Sequence, residues 1–100
     1  MAEFKCYVCG KKVLTGEKFT FTKSGSVHYD CFISERRKQV SDDKQEQLRA
    51  LSIILDIELQ HLLNVLSIKV DDEKAQEIVK KKYKDIEAAA GDTTRQISAL

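Results

Sequence analysis

The amino-acid sequence predicts an α+β fold: a small N-terminal module of hairpins and one helix, followed by an antiparallel helical hairpin or bundle. Three observations carry this. Gly10, Gly16 and Gly25 punctuate the first quarter of the chain, after which no glycine appears until Gly91 and no proline appears at all. Apolar residues alternate at 19–22 but recur at helical spacing from residue 48 onward. Two pairs of metal-ligand residue types, each separated by two residues, flank the hairpin region. The organisation expected is a head at residues 1–40 and a helical body at 41–100.

Within the head, Phe19-Thr20-Phe21-Thr22 alternates as a half-buried strand does. Lys23 to Ser26 supplies a turn with a glycine, and Val27-His28-Tyr29 returns as the partner strand. Thr15-Gly16 marks a second turn. A first helix is expected from about Tyr29 to Val40. Ser41-Asp42-Asp43 offers N-cap residues for a long helix over about 43–68, with Asp43 and Glu46 spaced as a capping box. Asp71-Asp72-Glu73 opens a second helix over about 72–90, its acids suited to the positive end of the helix dipole. Gly91 is read as its C-terminal stop, with a short tail helix beyond it.

The 100 residues carry 17 basic and 16 acidic side chains, a net charge of +1. The balance calls for neither nucleic acid nor membrane, but its distribution is uneven. Residues 1–40 hold eight bases and four acids, and the remaining sixty hold nine bases and twelve acids. A basic head therefore meets an acidic body. The opening residues lack the apolar run of a signal peptide. The most apolar stretch, Leu48 to Ile68, contains Arg49, Asp56, Glu58 and His61, which argues against a membrane span. The expected address is cytoplasmic, where structural disulfides are rare, and the odd count of three cysteines agrees.

The chemistry concentrates in Cys6-X2-Cys9 and His28-X2-Cys31, separated by eighteen residues. Each pair sets two donors on one tight turn, and an intervening hairpin folds one turn against the other. That is the arrangement a tetrahedral zinc ion requires, with thiolate and imidazole as its usual donors. Gly10 frees the chain for the turn after Cys9, where amides can donate to sulfur. Cys31 falls in the first turn of a helix, which favours a thiolate. A thioredoxin-like redox pair would need a strand-to-helix context that Gly10 and the following Lys-Lys-Val-Leu-Thr-Gly do not provide. Donor softness leaves iron open beside zinc. Four protein donors leave no position for water or substrate, so one structural zinc per chain is expected. His61, in mid-helix, reads as an ordinary helix-face residue.

Cys6-Tyr-Val-Cys9-Gly10 and His28-Tyr-Asp-Cys31-Phe32 resemble the first zinc module of a LIM domain, or more broadly a treble-clef finger, over residues 4 to about 40. That resemblance implies a zinc knuckle, a hairpin, and two last ligands at a helix start. The chain departs from LIM in lacking a second set of four ligands. As a whole it is similar to a family of small uncharacterised archaeal proteins with this kind of N-terminal finger, a likeness that implies no activity.

On the long helix, Leu48, Leu51, Leu55, Leu59, Leu62 and Leu66 form one stripe. Ala50, Ile53, Ile54, Ile57, Val65 and Ile68 lie roughly opposite. A helix apolar on two faces needs covering on two faces. The second helix offers one stripe, Ala75, Ile78, Val79, Tyr83, Ile86 and Ala90. The other face, with Ile53, Ile54 and Ile57, is expected to meet a second copy or a protein partner. No serine–histidine–acid pattern and no phosphate loop is present, so the chain reads as non-catalytic. The expected function is a zinc-stabilised protein-interaction or assembly module. The alternative is weak nucleic-acid binding, alone or within a nucleic-acid-handling complex, through Lys11, Lys12, Arg36, Arg37 and Lys38.

Overall fold

A computed structural model describes residues 3–100. Two strands, β1 (Phe19–Thr22) and β2 (Gly25–His28), pair antiparallel, with Phe19 opposite His28 and Thr22 opposite Gly25. The turn is therefore Lys23-Ser24 alone. Gly25 has already joined β2 at φ +120°, a conformation that L side chains rarely adopt. The expected strand at 27–29 shifts accordingly, and Tyr29 opens helix α1 (Tyr29–Gln39). Upstream, the segment from Phe4 to Val13 folds back on itself. An isolated bridge joins Lys5 to Lys12, and the Val13 amide donates to the Phe4 carbonyl at 2.8 Å. The turn at Thr15-Gly16 is present, closed by the Glu17 amide on the Leu14 carbonyl.

The helical hairpin consists of α2 (Gln45–Leu66) and α3 (Glu73–Ser98). The expected capping box does not form. Asp42–Lys44 make a single 3₁₀ turn, and Asp43 accepts the Ser41 hydroxyl at 2.6 Å instead of an α2 amide. The competing local hydrogen bond is what short polar side chains offer outside a helix. At α3 the expectation holds, since Asp72 is the N-cap and accepts the Ala75 amide at 2.9 Å.

The larger correction is at Gly91. It stops nothing, and α3 runs unbroken to Ser98 with no separate tail helix. Gly91 keeps a negative φ. The residues after it explain why: Thr93, Thr94 and Ile97 are buried. That burial outweighs the roughly 1 kcal/mol that a glycine costs inside a helix.

One core holds these elements. It joins Cys6, Val27, Phe32, Ile33 and Val40 from the head to Leu48, Leu55, Leu59, Ala90 and Ile97 from the hairpin. It crosses the boundary expected near residue 40. Three polar links cross it too: Tyr29 Oη donates to the Ser52 carbonyl at 2.6 Å, Lys18 Nζ pairs with Asp56 at 2.7 Å, and the Thr20 and Thr94 hydroxyls bond at 2.7 Å. The principal extents of 50 × 26 × 18 Å show the hairpin reaching beyond the head. There the expected stripes thin out. Leu66 and Ile78 stand 56 % and 64 % exposed, because the head covers only the near end of the pair.

Candidate metal centre

The two ligand pairs ride on different local structures. Cys6 and Cys9 lie on the fold between Phe4 and Val13. The Gly10 amide closes the turn onto the Cys6 carbonyl at 2.8 Å, with Gly10 at φ +76°. His28 ends β2 and is the N-cap residue of α1, while Cys31 occupies the first turn of α1. His28 makes no capping bond, because its ring is turned to the sulfurs. The two halves are fastened by backbone. The Tyr7 amide donates to the Ser26 carbonyl at 3.0 Å, and the Ser26 hydroxyl donates to the Lys5 carbonyl at 2.6 Å.

This brings Cys6, Cys9, His28 and Cys31 together, with one donor atom from each lying within 4.8 Å of all the others. His28 Nδ1 is 3.4 Å from Cys9 Sγ and 3.9 Å from Cys31 Sγ. Around a tetrahedral ion with metal–sulfur bonds near 2.3 Å and metal–nitrogen bonds near 2.0 Å, such edges measure about 3.5–3.8 Å. The donor set and its spacing fit one metal ion. All three cysteines are free thiols.

The electrostatics separate the four donors. Cys6 is buried, which alone would raise its pKa. Donation to its sulfur from the amides of Cys9 and His28, at 3.5 and 3.4 Å, with help from Val8, wins and brings it down to about 6. Burial works against the charged form of His28 as well, yet Cys6, Cys9 and Glu17 around the ring raise it to about 9. Burial, with the Cys6 and Cys9 sulfurs alongside, pushes the Cys31 thiol up to about 12.

Glu17 was not legible in the ligand spacing. Its Oε1 lies 3.3 Å from His28 Nε2 and also accepts the Leu14 amide at 2.6 Å. The carboxylate holds the ring so that Nδ1, not Nε2, faces the sulfurs, which is the usual second partner of a metal-binding histidine. No sequence signal marks a carboxylate eleven residues away. Only the turn at Thr15-Gly16 brings it there.

The other residues of interest lie elsewhere. Lys11, Lys12, Arg37 and Lys38 are exposed. Lys12 pairs with Glu3 at 3.2 Å and Lys38 with Glu35 at 3.6 Å. Arg36 is half-buried and donates to Gln39 at 2.8 Å, while its Nε is buried without a partner among the described residues. Ile53, Ile54 and Ile57 stand 49 %, 47 % and 62 % exposed on α2, and His61 is exposed on the same helix. Among the described residues no helix is long and apolar enough to cross a membrane.

A family model described as an uncharacterized protein conserved in archaea (DUF2175) matches residues 2–99, and the chain belongs to this family. No curated protein and no solved structure matches it.

Proposed function

We propose that this member of the archaeal family is a non-catalytic assembly module, with a treble-clef-like, LIM-like head stapled by one zinc ion and a helical face that docks a protein. Cys6, Cys9, His28 and Cys31 would hold the ion. Four protein donors close its coordination, and its role there is to cross-link the fold at Cys6, which belongs to the core. Zinc is preferred to iron for the mixed thiolate–imidazole set, and elemental analysis of protein purified from its native cells tests that choice.

The observation that carries the reading is the exposure of Ile53, Ile54 and Ile57 on a helix whose opposite face is already buried. Leaving that much branched apolar surface in water forgoes about 25 cal/mol per Å². The basic residues support nucleic-acid binding less well, since Lys12 and Lys38 already have acidic partners. The experiment is capture from native extract on the immobilised, metal-loaded chain, with and without nuclease, beside Ile57→Glu. Retention that survives nuclease and is lost in the variant supports a protein-docking face. Retention that nuclease abolishes favours the nucleic-acid alternative, and no retention of any protein, its own chain included, overturns the assembly reading.

A further inference from the structure

The outer face of α2 carries a regular repeat. Ala50, Ile54, Ile57, His61 and Asn64 follow one another at steps of four, three, four and three residues, and Ile68 in the turn beyond continues with a step of four. All six are exposed, and none is charged at neutral pH, in a chain one-third of whose residues are charged. Alternation of three and four is the seam of two helices packed side by side. Over Ala50 to Asn64 it runs about 21 Å at 1.5 Å per residue. The opposite face of α2 buries Leu48, Leu55 and Leu59, so this seam is a second one.

The order of steps reads the same in both directions. Laid antiparallel on itself across a two-fold axis, the seam sets Ala50 against Ile68, Ile54 against Asn64 and Ile57 against His61, each pair occurring twice. A large side chain then meets the gap left by Ala50. A parallel pairing would set Ala50 on Ala50 and stack Asn64 and His61 on their own copies. Self-complementarity of this kind is what an isologous interface requires. The charges bordering the seam are already engaged within the chain: Arg49 with Glu46 at 3.2 Å, Asp56 with Lys18 at 2.7 Å, and Glu58 with the Thr93 hydroxyl at 2.6 Å. Little charge remains there to select a different partner.

We infer that two copies of this chain pair through the outer faces of their α2 helices, antiparallel, about a two-fold axis passing between Ile57 and His61. This rests on the assembly reading and names its partner. The two metal-bearing heads then lie toward opposite ends, and each α3 lies outside the central pair.

Light scattering on the metal-loaded chain should give twice the 11.4 kDa chain mass. Ile57→Glu should raise the dissociation constant at least about 100-fold, because a carboxylate would be buried against His61 and its neighbours. Ile54→Lys, also exposed in the single chain, serves as the second variant, with circular dichroism checking that both fold. Orientation is read by mixing Ile54→Cys chains with Asn64→Cys chains, applying a short thiol cross-linker, and mapping the joined peptides. Links from 54 to 64 are expected, with none when either variant is treated alone. Links from 54 to 54 or 64 to 64 overturn the antiparallel arrangement. A dimer unmoved by both substitutions overturns the interface. A native chain that stays monomeric at high concentration overturns self-pairing. If Ile57→Glu then still abolishes capture of another protein, the assembly reading stands without it.

Discussion

The hydroxyls of Thr20 on β1 and Thr94 on α3 meet at 2.7 Å across 74 positions of sequence, both side chains almost sealed from water. Thr94 also donates to the Ala90 carbonyl at 2.9 Å, which uses its single proton. Thr20 is therefore the donor between the two hydroxyls. Thr94→Val leaves that donor orphaned and should cost about 1–3 kcal/mol, whereas adding Thr20→Val should recover part of the loss. Urea unfolding of the two single variants and the double variant checks this. Additive losses would mean that the two hydroxyls do not act as a pair.

Glu17 orients His28 at the metal centre through its contact with Nε2. Glu17→Ala should weaken metal binding about 10- to 100-fold, as removal of such outer partners does. Glu17→Gln keeps an oxygen for the Leu14 amide and should retain the turn while losing the anionic partner of the ring. Competition against a coloured chelator measures both. Equal affinity in all three proteins would remove Glu17 from the site.

Metal binding should release protons, and the number should depend on pH. With protein groups alone, His28 titrates at about 9 and Cys31 at about 12, so both hold protons at pH 7, while Cys6, at about 6, does not. A metal needs all three deprotonated. Below pH 6 the Cys6 proton joins those displaced, and above pH 9 the His28 proton drops out. Affinity therefore rises with pH across this range. Calorimetry in buffers of different ionisation enthalpy reads the count directly, and a count independent of pH would contradict these assignments.

Because Cys6 sits in the same core as Leu48, Leu55 and Ile97, metal removal should weaken the whole chain. Chelation, or Cys9→Ser, should lower the melting temperature in one transition, with far-UV circular dichroism and tyrosine fluorescence coincident. Native mass spectrometry should show one ion lost per chain. Two separated transitions would mean that head and hairpin fold independently, divided near residue 40.

Gly91→Ala should stabilise the protein by about 1 kcal/mol. A Cβ there would meet only Arg95 Nη1, at 3.5 Å, an ordinary contact, and the φ is not left-handed. If Gly91 ended the helix in a left-handed conformation, the same substitution would destabilise. Thermal unfolding decides the sign.

The sequence by itself determined what depends on neighbours along the chain. The spacing of Cys6, Cys9, His28 and Cys31 foretold their meeting, since two tight turns and one hairpin leave few other arrangements. Asp72 announced the start of α3, and the alternation at Phe19–Thr22 announced β1. Tertiary structure decided what depends on partners distant in sequence. A glycine has the same local preference wherever it stands, so only the burial of Thr94 and Ile97 could carry α3 through Gly91. A carboxylate eleven residues from a histidine has no periodicity to betray it, so only the turn at Thr15-Gly16 made Glu17 a neighbour of His28. Helical periodicity marked both faces of α2 as apolar, but which face the chain covers itself was fixed by where α3 and the head pack.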